Sequence, residues 1–366
     1  MSVGWGDSGS RGPQDIARRV LALGCHLAAT RGGGAIEIAT TPKDEVWRDG
    51  RIRLYRYRRV TNGGARLGPM LILQGMIGRQ SVTDLEPDRS LVARLLEAGA
   101  DLFVLDWGNP GRADRYTDFT DYAEYHLGDA IAAACDASGA DRVVLFGICE
   151  GGVIAACHAA RHPEAIKGLA LAVTPIDFHA DIDDPEPNRG LLNIWVRSLP
   201  KELLIDMIDE RGNLSGQLTG ALFQQLAPAR TLAKYTSGLV ELADNSEALD
   251  TFLRMEKWLA DRPDHPGAAA KEWLIGLYHE NRLVRGEFLI AGEPVDLAAI
   301  ACPVLNIFGA EDHIIPPSCI RALGGILADK DYEELEVPTG HIGVFVSRRA
   351  QQMVPPAIAC WLARVG

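Results

Sequence analysis

The chain has 366 residues, of which 47% are hydrophobic and 23% are charged, as is ordinary for a folded globular protein. Its formal net charge of −12 argues against a nucleic-acid partner, because the phosphates of nucleic acids bind to clustered Lys and Arg side chains. Seven cysteines without CxxC pairs indicate neither a disulfide scaffold nor a zinc site, so we expect a cytoplasmic protein. The longest apolar runs are too short to span a membrane, and no bound metal is expected.

Residues 1–60 are predicted to form a helix and a strand that pack on the rest of the fold. Residues 13–30 carry apolar side chains at helical spacing until a run of glycines ends the pattern. Residues 51–60 alternate charged and apolar side chains as a strand does, but the phase changes between Leu54 and Tyr55. That change predicts a β-bulge or a strand end within this segment.

From residue 69 onward, short apolar runs alternate with amphipathic segments of helical spacing. The runs expected to be strands cover residues 69–75, 101–108, 142–148, 167–174, 302–312 and 332–338. The helical segments cover residues 90–100, 120–139 and 153–162 and a final C-terminal helix. Apolar strands that alternate with helices are covered on both faces, which predicts a doubly wound, mainly parallel α/β sheet.

Residues 181–288 differ in character, since they contain several helical stretches and no convincing buried strand. Three tryptophans fall inside this region, namely Trp195, Trp258 and Trp273. We interpret the region as a mainly helical cap inserted into the fold. The α/β core is then expected to consist of residues 61–180 and 289–366.

The stretch "GICEGG", Gly147 to Gly152, follows a predicted buried strand and precedes a predicted helix. This is the arrangement of the nucleophile elbow G-x-S-x-G, with Cys149 in the place of the serine. Gly147 and Gly151 allow the neighbouring backbone to approach closely, and the helix dipole favours a thiolate at the helix start. The alternative interpretation is an inert buried cysteine on a glycine-rich turn. The candidate base and acid described next argue against this alternative.

A nucleophile of this kind needs a base and a group that orients the base. In the α/β-hydrolase order, an acid follows a late strand and a histidine lies in a loop near the C-terminus. Asp312 follows the predicted strand 302–312, and His341 lies in the glycine-flanked loop after the last strand. We therefore predict Asp312 as the acid and His341 as the general base. His313 competes for the second role, but an orienting or structural role is favoured for it.

The oxyanion hole of this fold uses the backbone N–H of the residue after the nucleophile and one from the loop after an early strand. Here these donors are expected to be the amide of Glu150 and that of Ile77, or alternatively of Met76. The carboxylate of Glu150 is expected to point elsewhere, because a negative charge beside a thiolate is unfavourable.

Three further patterns carry weaker signals. His158 and His162 are four residues apart, but helix packing explains them better than zinc binding, since no third ligand is evident. Residues 108–112, "GNPGR", lack the lysine and the glycine spacing of a phosphate-binding loop. The other cysteines are expected to lie mostly in the core; these are Cys25, Cys135, Cys157, Cys302, Cys319 and Cys360.

The choice of sulfur bears on the reaction. An acyl group transferred from a thioester to a cysteine keeps its activation, so passing it on to an alcohol remains favourable. This chemistry favours a transferase over a hydrolase. A helical cap would then serve to keep water away from Cys149.

Several long segments resemble the polyhydroxyalkanoate synthases, most closely the short class III type. The resemblance spans nearly the whole chain from residue 41, and its specific segments are residues 83–99, 105–122, 147–152, 252–267, 306–317 and 340–362. It implies an α/β-hydrolase fold with a Cys-His-Asp site. In that site Cys149 matches the nucleophile, Asp312 the acid and His341 the base.

The resemblance also implies a substrate and partners. The substrate would be a 3-hydroxyacyl-CoA, such as 3-hydroxybutyryl-CoA, polymerised into a growing polyester with release of CoA. Because CoA is then part of the substrate, no cofactor is expected. A second, different synthase subunit, a homodimer and a location at the surface of cytoplasmic polyester granules are implied as well.

Two places depart from the family pattern. The family's "VNRPY" is replaced by "IGRQS", so that Gly78 and Gln80 stand where the family has asparagine and proline. The elbow carries Glu150 where the family has glutamine. Both places border the expected oxyanion hole, so they bear on the rate or the substrate preference.

Four residues are further candidates for substrate contacts. Arg79, Arg112 and Arg115 lie in loops that could meet the phosphates of CoA, and His313 lies beside the predicted acid. Two alternatives to a synthase stay open: a cysteine thioesterase or depolymerase, which delivers the acyl group to water, and a catalytically quiet granule-associated subunit. Whether the histidine or the acid deprotonates the incoming 3-hydroxyl is also open.

Overall fold

The computed structural model describes residue 15 and residues 18–25, 36–59, 67–182, 184, 190–225 and 232–365. Of the helix predicted over residues 13–30, the described residues 15 and 18–25 are helical, and the others lie outside the described part.

Eight strands form one mainly parallel sheet. They are β1 Lys43–Asp49, β2 Ile52–Tyr57, β3 Leu67–Gln74, β4 Ala100–Asp106, β5 Val143–Ile148, β6 Ile166–Ala172, β7 Val304–Gly309 and β8 Tyr332–Val337. Their order across the sheet is β1-β2-β4-β3-β5-β6-β7-β8. Strands β1 and β2 pair antiparallel, as do β2 and β4, and the other neighbours pair parallel. The predicted doubly wound sheet is confirmed.

The N-terminal strands correct one expectation. Strand β2 runs without interruption across Leu54 and Tyr55. The irregularity lies opposite them in β1, a strand that the sequence analysis does not identify. There the register shifts between Glu45, which pairs with Tyr55, and Trp47, which pairs with Leu54. The extra residue of the bulge is therefore on the edge strand and not in β2.

Helices connect the strands and cover both faces of the sheet. They are α1 Leu91–Glu97, α2 Leu127–Ser138, α3 Glu150–Arg161, α4 Leu191–Ser198, α5 Lys201–Arg211, α6 Gly216–Gln225, α7 Leu239–Leu242, α8 Ser246–Ala260, α9 Gly267–Lys271, α10 Pro317–Ile326, α11 Gly343–Val346 and α12 Arg348–Val365. Within the described residues, three segments are π-helical, namely Asp121–His126, Lys234–Gly238 and Glu272–His279. Short 3₁₀ turns cover Gln80–Thr83, Arg112–Asp114 and Leu297–Ala299.

The core lies on the two faces of the sheet, because successive side chains of a strand point in opposite directions. In β4, Phe103 packs into the cluster that contains α2 and α3, whereas Val104 packs into the cluster that contains α1 and α12. Every residue of β5 is buried. Each large apolar side chain buried in this way contributes about 1.5–3 kcal/mol, and the layers hold the carboxyl ends of the strands at one edge.

Between β6 and β7 the described chain is mainly helical and contributes no strand to the large sheet. The expectation that this region has no buried strand is wrong in one detail, since Asn213–Leu214 pairs antiparallel with the buried His265–Pro266. We call residues 190–225 and 232–279 the cap helices. Buried side chains among them, such as Leu192, Val196 and Trp273, join the same hydrophobic cluster as α2 and α3, whereas Trp258 packs into the cluster that contains α1 and α12. The division into residues 1–60, a core and a cap over 181–288 stays a prediction.

The helices and the cysteines differ in how much of their surface is apolar or exposed. Of the helices in the described ranges, none combines the length and the apolar character that crossing a bilayer requires. Three of the cysteines expected in the core, Cys157, Cys302 and Cys319, are buried. Cys25 and Cys360 are instead exposed on the surfaces of their helices, and Cys135 is partly buried.

Candidate active site

Cys149 lies in a strained turn between β5 and α3. Its φ of 52° and ψ of −120° place a non-glycine residue at positive φ, a conformation that costs about 1–3 kcal/mol and concentrates at functional sites. The Cys149 N–H donates to Ala172 O on β6 at 2.9 Å, and its carbonyl accepts from Gly152 N at 2.9 Å. The turn thus directs the side chain away from the sheet at the start of α3.

The glycines of the elbow are required by close packing. A Cβ on Gly147 would lie 2.5 Å from Gly152 Cα, and one on Gly151 would lie 2.5 Å from the carbonyl carbon of Gln74. The start of α3 therefore packs directly against the backbone of β3. This is the close approach that the sequence predicts.

Asp312 and His341 form a buried pair beside this turn. Asp312, fully buried after β7, accepts hydrogen bonds through Oδ1 from Ile314 N at 2.9 Å and Ile315 N at 3.0 Å. Its other oxygen, Oδ2, lies 2.7 Å from His341 Nδ1. Both oxygens of the carboxylate are therefore engaged, and the imidazole is held with Nε2 directed away from Asp312.

Cys149 and His341 line the same cavity beside this pair. Burial disfavours the charged imidazole, but Asp312 and Cys149 outweigh burial and raise the pKa of His341 from 6.5 to about 10. The three residues that the sequence analysis assigned to the site are therefore brought together. Their arrangement suits proton transfer between the thiol and the imidazole.

The side chain of Glu150 accepts a hydrogen bond from one of the two backbone N–H groups considered as the second oxyanion donor. Its Oε2 accepts from Met76 N at 2.9 Å, and its Oε1 lies 2.6 Å from His265 Nε2. Met76 N–H is thus already paired. Among the described residues, the N–H groups of Ile77 and Glu150 donate to no protein acceptor, and both residues line the cavity at Cys149. The geometry favours Ile77 over Met76 as the second donor.

A cavity of about 250 Å³ opens above Cys149 and His341, and we call it the catalytic cavity. Most of its wall is apolar, with side chains from the cap helices and from the loops that follow β3 and β8. The apolar lining includes Ile77, Val82, Leu192, Phe223, Trp258, Trp273, Ile314 and Phe345. Such a wall suits an acyl group and excludes water.

The four further substrate contacts predicted from sequence lie outside the lining of the catalytic cavity. Arg79 is engaged by Asp261 at 3.1 Å and by the carbonyl of Gly108 at 3.0 Å. The side chains of Arg112 and Arg115 lie against Gly212 at the end of α5. The backbone carbonyl of His313 accepts from Leu191 N at 3.1 Å.

Two residues of the cavity were missed by sequence analysis. Arg262 lines the cavity, donates to the carbonyls of Leu259 at 3.1 Å and Ile77 at 3.3 Å, and has no carboxylate partner within the described residues. Burial lowers the pKa of Arg262. Tyr278 lines the cavity as well and is fully buried. Arg262 lies within the family segment 252–267, which assigns it no role, and Tyr278 lies in no local motif, so the fold brings both of them to the cavity at Cys149.

The two histidines weighed for zinc have other partners. His158 Nδ1 lies 2.6 Å from the carbonyl of Ala123, and burial lowers the pKa of His158 to about 4. His162 Nε2 lies 2.9 Å from Glu124 Oε1. Across the described ranges, no three His, Cys, Asp or Glu side chains are grouped so as to hold a metal ion.

The strand order and the elbow, acid and histidine in their positions define the α/β-hydrolase class. Residues 68–347 match the family model of the alpha/beta hydrolase fold. Closer relatives are poly(3-hydroxyalkanoate) polymerase subunits PhaC. That of Allochromatium vinosum is 37% identical over 90% of both chains, and that of Thiocystis violacea is 33% identical over 96% of this chain and 97% of the relative. The chain therefore belongs to the polyhydroxyalkanoate synthase family, whose members are acyltransferases.

Solved structures support the fold alone. A lipase in its open form has a TM-score of 0.55 at 16% identity and covers 88% of this chain and 99% of its own. A monoglyceride lipase from Saccharomyces cerevisiae has a TM-score of 0.50 at 14% identity and covers 90% of this chain and 96% of its own.

Proposed function

We propose that this chain polymerises a 3-hydroxyacyl-CoA, in particular 3-hydroxybutyryl-CoA, into a polyester through a covalent acyl-cysteine. The observation that carries the proposal is that Cys149 lines the same cavity as His341, which is paired with the buried Asp312. The relatives named poly(3-hydroxyalkanoate) polymerase support the polymerisation. The cysteine in place of serine supports transfer over hydrolysis.

In the first half-reaction, His341 takes the proton of the Cys149 thiol, and the thiolate attacks the thioester carbonyl of the substrate. The N–H groups of Ile77 and Glu150 stabilise the oxyanion. The carbon–sulfur bond to CoA then breaks, and the imidazolium returns its proton to the departing CoA thiolate. The products are free CoA and an acyl-cysteine.

In the second half-reaction, a 3-hydroxyl group attacks the acyl-cysteine and forms the ester bond of the polymer. We assign His341 as the base that removes the hydroxyl proton. Asp312 is fully buried, and both of its oxygens already accept hydrogen bonds, so it has no free oxygen for the hydroxyl. The Cys149 thiolate leaves and is reprotonated by His341.

The CoA portion requires a different environment from the acyl group. Its phosphates need cations, and Arg262 and Lys234 both line the mostly apolar catalytic cavity. Lys234 pairs with Glu256, whereas Arg262 has no carboxylate partner in the described chain. We therefore assign the CoA side of the cavity to the edge formed by Arg262, and no cofactor is needed for the reaction.

Partners are proposed on the strength of the relatives. Because those relatives are named polymerase subunits, we propose a second, different subunit for full activity. A homodimer and attachment to the surface of cytoplasmic polyester granules follow from the same family resemblance.

The replacement Cys149→Ala tests the proposal. It should reduce the release of CoA from 3-hydroxybutyryl-CoA by at least about a thousandfold, because the attacking atom is lost. CoA release is followed with a thiol reagent, and acylation of the Cys149 peptide by mass spectrometry. The exposed Cys360→Ala is the matched control and should retain activity.

The product separates the alternatives. Insoluble polyester with stoichiometric CoA release indicates a synthase, and free hydroxyacid indicates a thioesterase. Intact CoA release in Cys149→Ala would contradict the nucleophile assignment. Lack of turnover by the wild-type chain, with and without a candidate partner subunit, would indicate a catalytically quiet subunit.

A further inference from the structure

The loop after β3 carries the second oxyanion donor, and we call residues 75–79 the oxyanion loop. One side of this loop packs on the side chain of Glu150. A Cβ on Gly75 would overlap the Cβ of Glu150 and lie 2.5 Å from Glu150 Oε2. The same oxygen accepts from Met76 N at 2.9 Å. The carboxylate therefore lies directly against the backbone that leads to the Ile77 N–H.

The cap binds the carbonyl groups of the oxyanion loop. Trp258 Nε1 donates to Arg79 O at 2.9 Å, and Arg262 Nη1 donates to Ile77 O at 3.3 Å. The bond to Ile77 O holds the peptide group after Ile77, whereas the bond from Met76 N holds the peptide group before Met76. Because each peptide group is planar, the group that carries the Ile77 N–H is fixed between two held neighbours.

A third contact from the cap acts through the carboxylate of Glu150. His265 Nε2 lies 2.6 Å from Glu150 Oε1, and the two residues are 3% and 1% exposed. An ionised carboxylate only accepts hydrogen bonds, so its second oxygen needs a donor once Met76 N has taken the first. A glutamine, which the family has at this position, would instead present an NH₂ group there. Glu150 and His265 are therefore matched as acceptor and donor.

The backbone of His265 is itself held in place. It pairs antiparallel with Leu214 in the cap. Three residues further along, Ala268 N donates to Arg115 O in the core at 2.9 Å. The imidazole thus stands on backbone that is bound to both the cap and the core, so it is a fixed support for the carboxylate.

We propose that His265 is a positioning residue that acts through Glu150 to hold the two oxyanion donors at the spacing which the reaction at Cys149 requires. Glu150 carries one donor, its own N–H, and its side chain places the loop that carries the other, the Ile77 N–H. The inference rests on the proposed function, whose oxyanion hole it uses, and adds what keeps the two donors in register. A donor is effective only at about 2.7–3.1 Å from the oxyanion, so a small shift of the loop removes its contribution.

The test compares two reactions of the Cys149 thiol. With p-nitrophenyl acetate, the thiolate adds to the carbonyl, an oxyanion forms, and p-nitrophenolate leaves as the thiol becomes acetylated. With iodoacetamide, the thiolate displaces iodide from a saturated carbon, and no oxyanion forms. Initial rates are followed by nitrophenolate release and by mass spectrometry of the Cys149 peptide. The nitrophenolate rate of Cys149→Ala is subtracted, because exposed cysteines react as well.

The ratio of the acetylation rate to the alkylation rate reports on the oxyanion hole, since the thiolate fraction and the access to Cys149 affect both rates. In the wild type this ratio should exceed that of N-acetylcysteine, which has no oxyanion hole. His265→Leu keeps a similar size without the donor and should lower the ratio about tenfold, which is part of the 10²–10³-fold that one whole oxyanion donor contributes.

Two further variants separate positioning from a merely structural role. The amide nitrogen of His265→Gln can reach the place of Nε2, so this variant should keep the ratio within about threefold of the wild type. The shorter His265→Asn cannot reach Glu150 and should lower the ratio as His265→Leu does. A role in packing alone would not distinguish the two amides. If His265→Leu does not fold, this comparison decides the outcome.

The matched control is His162→Leu, which removes another histidine–glutamate contact, with Glu124 at 2.9 Å, outside the lining of the catalytic cavity. Its ratio should equal that of the wild type. Equal ratios in His265→Gln and His265→Asn would overturn the inference, as would a wild-type ratio no higher than that of N-acetylcysteine. A failure of the proposed function would instead be seen as a lack of CoA release from 3-hydroxybutyryl-CoA, which this assay does not use.

Discussion

Asp312 shows how a single residue prepares the site. Its carboxylate is fully buried, and it accepts two backbone N–H bonds while Oδ2 faces His341 Nδ1 at 2.7 Å. Backbone donors fix the carboxylate before any substrate arrives. The imidazole is thereby held in one orientation, and its positive charge is stabilised when it takes the proton of Cys149.

The variant Asp312→Asn tests this role. Because the carboxylate raises the pKa of His341, its removal should lower that pKa, so the imidazole should lose its proton at a lower pH than in the wild type. CoA release should fall by about 10²–10⁴-fold. The titration is measured by NMR of ¹⁵N-histidine-labelled protein. Glu311→Gln, an exposed neighbour, is the control, and an unchanged or raised pKa in Asp312→Asn would contradict the assignment.

At the scale of elements, Glu150 joins three segments at one point. It begins α3, it accepts from Met76 N in the loop after β3, and it pairs with His265, whose backbone pairs with Leu214 in the cap. Glu150 is 1% exposed and His265 is 3% exposed. The elbow, the loop that carries the oxyanion donor and the cap are thus tied together within the interior.

Removing the Glu150 side chain should therefore destabilise the fold. Glu150→Ala leaves a buried imidazole and a buried N–H unpaired, and the free energy of unfolding should fall by about 3–5 kcal/mol. Glu150→Gln keeps an acceptor for Met76 N, so its loss should be smaller by at least about 1 kcal/mol. Urea denaturation measures both. Equal losses in the two variants would show that the acceptor is unimportant.

Local sequence patterns predict the elements well and long-range pairs poorly. The β3 to β8 strands and the positions of Cys149, Asp312 and His341 follow from apolar runs and from glycine-flanked turns. The partner of Glu150 does not, because His265 lies 115 residues away and no local signal links the two. Tyr278 was missed for the same reason. The bulge in β1 is set by its pairing with β2. The sequence of β2 therefore indicates where along the paired strands the irregularity falls, but not that the extra residue lies in β1.

At the scale of the whole molecule, Glu272 links the cap to the core. It lies in the π-helix Glu272–His279 and accepts from Phe119 N in the core at 2.7 Å. Burial raises the pKa of Glu272 from 4.5 to about 7, and the carboxylates of Asp118 and Asp121 add to the effect. The connection between cap and core therefore includes a group that titrates near neutral pH.

This group makes stability depend on pH in a definite direction. The folded state keeps the proton of Glu272 where the unfolded chain has lost it, so the stabilising contribution is complete below about pH 4.5 and is lost as the pH rises through about 7. Glu272→Gln removes this dependence. Relative to the wild type, its free energy of unfolding should rise by about 3 kcal/mol between pH 4.5 and pH 8.

Urea denaturation at several pH values measures the difference between Glu272→Gln and the wild type. The comparison cancels the titration of all other groups. The exposed Glu287→Gln is the control and should show no such difference. A difference between Glu272→Gln and the wild type that does not vary with pH would contradict the assignment.

The backbone N–H and the side chain of Ile77 have separate roles. Its N–H belongs to the proposed oxyanion hole, while its side chain lines the catalytic cavity. An amide is common to all residues except proline, so exchange of this side chain alters the room for the acyl group and leaves the donor in place. Selectivity and reactivity can therefore diverge during evolution at this position, and a loop as altered as "IGRQS" is compatible with an unaltered reaction.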